Sequence, residues 1–399
     1  MTASKRGSRP LLLALIGAMT ALGPLGTDLY LPGLPAVTHE LESTESLTQL
    51  TLMAYLLGLG LGHFLWGPVC DRLGRRGPLM LGLACFILAG AVCALTPNME
   101  VLLAARLAQG LAGSAGIVIS RAIVRDLYEG RELTRVFGWL AMVFGLAPII
   151  GPLLGAGVIQ FAGWRGTFWA LAGLGVVFLA LTAAILPETL TEERRTRGTR
   201  AERRGAWTAP LANRAFVTNS LLLLASSIVM FGYVSYIPFV LQTERGIDDV
   251  TFAWLFALNA VAVLTGGQLA ALLARRVDGR TVLRTAYAIA IGAGTLVLLA
   301  IALDWPDWAL LAALWVTILQ IAIVQPTAIA LAIAPFAQGA GTASAIAGGT
   351  QFLGAAIVTS AVTSLFGADG TVMGVLILSA VTVACGIAIV GPLLRGRNA

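Results

Sequence analysis

The stretch Leu22–Pro35, LGPLGTDLYLPGLP, is the most informative part of the sequence, because it places a single carboxylate inside a long apolar run. Asp28 lies between Gly26 and Pro32, and nearly all of its sequence neighbours are apolar or glycine. Burying a charge without a partner is costly, so an acid at such a position indicates a function. What that function is depends on the solvent that surrounds the rest of the chain.

The composition is too apolar for a water-soluble protein. Of the 399 residues, 58% are hydrophobic and only 12% are charged, and the mean hydropathy is +0.87. Soluble domains carry charge on about a quarter of their residues. We therefore predict a membrane protein whose partner is the lipid bilayer. The net charge of +6 does not indicate nucleic-acid binding, because the arginines fall in short clusters between apolar runs.

Apolar runs of about 20 residues, the length of a membrane-crossing helix, recur along the whole chain. They predict an all-α membrane protein with twelve transmembrane helices, at about 10–37, 46–70, 78–97, 100–122, 134–162, 165–187, 214–241, 249–274, 281–303, 307–333, 341–366 and 370–393.

The distribution of Lys and Arg predicts the orientation of these helices. With the N-terminus in the cytoplasm, all but three of the 26 basic residues fall in cytoplasmic segments. The exceptions are Arg106, which is inside the fourth span, and Arg165 and Arg245, which are outside. Because positive charge favours the cytoplasmic side, we expect both termini in the cytoplasm and the protein in the cell (inner) membrane.

Residues 188–213, ETLTEERRTRGTRAERRGAWTAPLAN, interrupt the apolar pattern halfway along the chain. They predict a cytoplasmic linker between an N-terminal six-helix bundle at 1–187 and a C-terminal six-helix bundle at 214–399. Transporters built from such repeats bind substrate at the repeat interface.

Three motifs resemble signatures of the major facilitator superfamily: GPVCDRLGRR (Gly67–Arg76), LLAARLAQGLAGSAG (Leu102–Gly116) and APIIGPLLGAG (Ala147–Gly157). The first departs from the usual pattern at Pro78, where a basic residue is common. The stretches TDLYLPGLP, RAIVRDLY, IPFVLQTERG and GTASAIAGGTQFLGA are similar to the Bcr/CflA drug-resistance branch, which includes bicyclomycin and chloramphenicol/florfenicol exporters. The resemblance implies two pseudo-symmetric six-helix bundles around a central cavity, and drug export by proton antiport.

Asp28 and Arg106 are the residues that we predict to couple transport to protons. At 1.5 Å per residue, Asp28 lies about 27 Å along span one, and Arg106 lies about 9 Å from the outer end of span four. The two charges are therefore at similar depth, and by the resemblance both face the cavity. A buried carboxylate changes protonation when its solvation or its distance to a guanidinium changes. The alternative is a static pair that only joins two helices.

The candidate substrate contacts are aromatic or amide side chains within the spans, each of which could also serve packing. They are Tyr30, Tyr55, Gln109, Tyr233, Tyr236, Asn259, Gln325 and Gln351.

Two further sets are candidate moving parts. The first is a cytoplasmic gate in which interleaved charges pair with one another and with the start of span eleven, with glycines allowing tight turns; the alternative is plain topological anchoring. Its residues are Gly67, Asp71, Arg72, Gly74, Arg75, Arg76, Arg125 and Asp126.

The second is a bent pivot in span five, for which ordinary glycine packing is the alternative. Its residues are Gly145, Pro148, Gly151, Pro152 and Gly155.

The sequence argues against enzyme classes. Lys5 is the only lysine, so no P-loop exists, and His39 and His63 form no metal-binding motif. We expect no cofactor or metal, a proton gradient as the driving force, and a monomer by resemblance. One acid and one base within the spans favour neutral or zwitterionic amphipathic drugs such as amphenicols or bicyclomycin. A secondary transporter for a sugar or organic metabolite is the alternative, and a receptor or membrane enzyme is a remote one.

Overall fold

A computed structural model describes residues 9–190, 208–336 and 340–393, and regular structure within these ranges is helical throughout. A 3-10 turn at Leu31–Gly33 follows the first helix, and a π-helical turn at Phe239–Glu244 follows the seventh. The helices are α1 Arg9–Asp28, α2 Leu34–Glu40, α3 Glu45–Leu73, α4 Arg76–Leu95, α5 Met99–Leu127, α6 Gly130–Ile185, α7 Arg214–Pro238, α8 Asp249–Leu273, α9 Gly279–Ala302, α10 Asp307–Ile333, α11 Ala340–Phe366 and α12 Gly370–Leu393.

Within the described ranges, eleven helices are long and apolar enough to cross a membrane. One of them, α6, has 56 residues, enough for about 84 Å of straight helix, which is far more than one crossing requires. Gly163 interrupts it with φ 62° and ψ −175°, a conformation that glycine adopts without steric cost. α6 thus contains predicted spans five and six, and the prediction of twelve spans is confirmed.

Span one differs from its prediction as a single segment. α1 ends at Asp28, and the chain then forms the 3-10 turn before α2 begins. The break follows the acid directly, while Pro24 remains inside α1.

The chain forms two compact units. Among the described residues, unit 1 contains those up to Ser43 and those from Ala54 to residue 190. Unit 2 contains Thr44–Met53 and the described residues from 208 onward. The predicted domain boundaries stay a prediction, and residues 191–207 of the predicted linker lie outside the described residues.

In unit 1, α3 and α5 approach each other backbone to backbone. A Cβ added to Gly58 would lie 2.2 Å from the Leu107 carbonyl oxygen, and one added to Gly110 would lie 2.0 Å from that of Tyr55. Small residues permit such close helix contact in membranes. This packing brings the side chains of α5 against α1 and α3.

Candidate functional site

Arg106, on α5, is fully buried inside unit 1. Its Nη1 donates hydrogen bonds to the Gly26 carbonyl oxygen at 2.9 Å and to Gln109 Oε1 at 2.8 Å. The ring centroids of Tyr55, Tyr30 and Phe168 lie 4.2, 5.1 and 5.5 Å from its Cζ. Cation–π attraction to these rings adds to the hydrogen bonds. We call these six residues the arginine site.

The end of α1 supplies the carbonyl that binds Arg106. The Tyr30 amide, the helical partner expected for Gly26, donates to the Thr27 carbonyl oxygen at 3.3 Å. The Gly26 carbonyl is therefore left for Arg106. One turn earlier, the Tyr55 hydroxyl donates to the Gly23 carbonyl oxygen at 3.0 Å. Irregular backbone inside a membrane is tolerated where side chains satisfy it in this way.

Asp28 is 4% exposed and accepts a hydrogen bond from Thr27 Oγ1 at 3.0 Å. Within the described part of the chain, Asp28 Oδ2, Arg106 Nε and Nη2, and Gln109 Nε2 are buried without a hydrogen-bond partner. Among the same residues, Asp28 and Arg106 form no ion pair within 4.0 Å. The static pair named above as the alternative is therefore not formed here, and the guanidinium is bound to the Gly26 carbonyl. Both side chains are enclosed in unit 1, not exposed to water.

Two of the predicted span-five residues, Gly151 and Gly155, pack against span one at Asp28 and Leu29. A Cβ on Gly151 would lie 2.7 Å from Asp28 Cβ, and a Cβ on Gly155 would lie 2.2 Å from the Leu29 carbonyl oxygen. Gly145, Pro148 and Pro152 lie within α6, and the residue with non-helical backbone angles in that helix is Gly163. The pivot in span five stays a prediction.

Arg75 connects two helices of the predicted gate. Its Nη1 lies 2.5 Å from Asp71 Oδ1, and its Nε lies 2.9 Å from Asp126 Oδ2. Burial disfavours the charged guanidinium, but the bonds to Asp126 and Asp71 outweigh it and raise the pKa of Arg75 further above its usual value. Gly74 makes the turn into α4 with φ 95°, a conformation that favours glycine.

Glu188 belongs to this cluster although the sequence placed it in the linker. It accepts hydrogen bonds from the backbone amides of Arg75 at 2.8 Å and Arg76 at 3.2 Å, where α4 begins. Partial burial would raise the pKa of Glu188, but the backbone donors of Arg75, Leu190, Arg76 and Thr189 together hold it below its usual value. No local sequence pattern predicts this contact, because Glu188 is 113 residues from Arg75 and 112 residues from Arg76.

Other predicted gate residues behave differently. Gly67 lies inside α3, and a Cβ there would meet nothing within 4 Å, so it makes no turn. Arg76 Nη2 donates to the Ala183 carbonyl oxygen at 2.6 Å. Arg72 and Arg125 are exposed and form no ion pair within the described ranges.

The candidate substrate contacts fall into three groups. Tyr30, Tyr55 and Gln109 belong to the arginine site. The second group is buried in unit 2: Tyr233, Tyr236 and Asn259. Gln325 and Gln351 are half-buried and are therefore the accessible members of the set. Substrate binding by any of them stays a prediction.

The structure extends predicted span four, which ended at about 122. α5 continues to Leu127, so Arg121 and Arg125 lie on its last two turns, and both are exposed.

Comparison with known proteins identifies the family of this chain. The family model described as Major Facilitator Superfamily matches residues 16–359. The uncharacterized MFS-type transporter YdgK of Bacillus subtilis is 35% identical over 359 residues, covering 88% of this chain and 89% of the relative. A bicyclomycin resistance protein homolog of Haemophilus influenzae is 28% identical over 88% of each chain. A chloramphenicol resistance protein of Pseudomonas aeruginosa is 36% identical over 63% of this chain and 59% of the relative.

Solved structures show the same fold at low sequence identity. A D-xylose-proton symporter superposes with a TM-score of 0.76 at 15% identity, covering 94% of this chain and 97% of that one. The predicted all-α fold is thereby confirmed. The chain belongs to the Major Facilitator Superfamily and is a multi-pass membrane transporter.

Proposed function

We propose that the chain exports small amphipathic drugs in exchange for protons, by alternating access. The observation that carries the proposal is the buried Asp28 carboxylate with one unpartnered oxygen, next to the arginine site. Relatives named for bicyclomycin and chloramphenicol resistance support drug export. Neutral or zwitterionic compounds such as amphenicols are the substrates that we propose to test first.

In this proposal the arginine site and Asp28 alternate between two arrangements. The observed one, with the guanidinium on the Gly26 carbonyl, is assigned to protonated Asp28. When Asp28 is ionised, its unpartnered Oδ2 attracts the unpartnered Nε and Nη2 of Arg106. A small shift of α1 along α5 would exchange one arrangement for the other, which gives a two-state element that responds to a proton. Moving one charge through the membrane potential supplies about 2.3 kcal/mol per 100 mV.

The cluster of Asp71, Arg75, Asp126 and Glu188 is proposed as the cytoplasmic latch of unit 1. This assignment requires both termini in the cytoplasm and the chain in the cell membrane, as the basic residues predict. The protein is proposed to work as a monomer without a cofactor.

Everted membrane vesicles with a pH-sensitive dye test the proposal. Adding chloramphenicol or bicyclomycin should release protons from vesicles that contain the wild-type chain. The Asp28→Asn variant should reach the membrane in equal amount and lose this release, whereas Glu42→Gln, which changes an exposed carboxylate, should retain it. Drug resistance that is equal in wild-type and Asp28→Asn cells would overturn the proposal.

A further inference from the structure

Glu40, the last residue of α2, is held by two consecutive residues of α6. Its Oε2 accepts a hydrogen bond from Trp164 Nε1 at 2.5 Å, and its Oε1 forms an ion pair with Arg165. Arg165 also donates to the Thr96 carbonyl oxygen at 3.0 Å, and its Cζ lies 4.2 Å from the Trp164 ring centroid. We call Glu40, Trp164 and Arg165 the α2 clamp.

The other end of α2 contacts the same tryptophan. A Cβ added to Gly33, just before α2, would lie 3.0 Å from Trp164 Cβ. Trp164 itself is 2% exposed and follows directly after the break at Gly163. α2 is thus fixed at both ends to the start of the second half of α6.

A series of rings leads from the α2 clamp to the arginine site. The Trp164 and Phe168 rings are edge to face with centroids 6.0 Å apart, and those of Phe168 and Tyr30 are 4.9 Å apart. Phe168 and Tyr30 both lie next to the Arg106 guanidinium. Tyr30 is two residues after Asp28 and four residues before the start of α2, so it lies in the short segment that connects α1 to α2.

We propose that Glu40 is a positioning residue for the proton step: through Trp164 and Phe168 it holds Tyr30 against Arg106 and so keeps the end of α1, with the Gly26 carbonyl and Asp28, in register with α5. The inference rests on the proposed function, because it assigns Glu40 a role in proton coupling. It assigns no contact between Glu40 and the drug or the proton. Without the clamp, α2 and Tyr30 would shift relative to Arg106. Protonation of Asp28 would then no longer control whether Arg106 binds the Gly26 carbonyl or the acid.

Two variants test the clamp and one controls for it. Glu40→Gln removes the ion pair with Arg165 but keeps an oxygen for Trp164. Trp164→Phe removes the hydrogen bond but keeps a ring against Phe168. Glu42→Gln makes the same charge change two residues away on an exposed side chain. Each protein is assayed in vesicles for drug efflux driven by a pH gradient and for drug exchange without a gradient, both per amount of protein in the membrane.

The expected result separates positioning from simple structural support. We expect Glu40→Gln and Trp164→Phe to lower gradient-driven efflux about tenfold, less than the roughly hundredfold that a misplacement of about 1 Å can cost. Exchange and its half-saturating drug concentration should remain at the wild-type level, and Glu42→Gln should behave as wild type. Gradient-driven efflux and exchange falling together, or neither falling, would overturn the inference alone. A wild-type chain that releases no protons on drug addition would overturn the proposed function and, with it, this role of Glu40.

Discussion

Arg106 binds the carbonyl oxygen of Gly26, at 2.9 Å, two residues before the carboxylate that the sequence suggested as its partner. The guanidinium and the acid are therefore connected through the main chain of α1. A carbonyl oxygen, an amide oxygen and three rings stabilise the buried cation without an ion pair to Asp28. Under the proposed function, ionisation of Asp28 therefore moves the guanidinium within this site, from the Gly26 carbonyl toward the acid.

The first prediction concerns the shape of the Arg106 side chain. Arg106→Lys keeps the charge but loses the planar group that reaches Gly26 and Gln109 from a position between rings. We expect gradient-driven efflux to be lost although the protein reaches the membrane, as measured by drug accumulation in cells per amount of protein. Arg125→Lys, which changes an exposed arginine on the same helix, should have little effect. Normal efflux by Arg106→Lys would mean that only the charge matters.

The second prediction concerns the contact between α6 and Asp28. Gly151→Ala would place a methyl group 2.7 Å from Asp28 Cβ, which forces α1 and α6 apart and should cost about 1–3 kcal/mol. Gly157→Ala is the matched control, because nothing lies within 4 Å of its added Cβ. Thermal unfolding in detergent and efflux per protein should both fall for Gly151→Ala only. Equal behaviour of the two variants would show that the close packing at Asp28 is dispensable.

The sequence predicted the membrane spans and the gaps between them, because both are visible in the pattern of apolar residues. Spans follow from runs of apolar residues, and the gap between predicted spans five and six coincides with the break at Gly163. Contacts between distant segments were not predictable in this way. Glu188 and Glu40 each sit in polar stretches that favour solvated loops, yet they bind partners more than 100 residues away. Span one was predicted as one segment because hydropathy does not register where a helix ends inside an apolar run.

The third prediction concerns pH and Glu188. The backbone donors hold its folded-state pKa below its usual value, so its contribution to stability is fully present above the unfolded-state pKa of about 4.3. That contribution is lost as the pH falls through the lower folded-state pKa. Glu188→Gln should therefore lose less stability than the wild type on acidification below about pH 4, measured by thermal unfolding in detergent. Glu188→Ala, which removes the cap of α4, should cost about 1 kcal/mol at neutral pH. Identical acid profiles for wild type and Glu188→Gln would exclude a role for this carboxylate.

The fourth prediction separates packing from substrate contact in unit 2. Tyr236 is fully buried, and its hydroxyl lies 2.8 Å from Thr363 Oγ1, which itself donates to the Thr359 carbonyl oxygen. Tyr236→Phe should therefore lower stability by about 1 kcal/mol, the usual cost of one hydrogen bond, and leave drug affinity unchanged. Gln325→Ala changes a half-buried amide and should instead weaken drug binding in competition assays with little change in stability. A loss of affinity in Tyr236→Phe with unchanged unfolding temperature would reverse the two assignments and make the tyrosine a substrate contact.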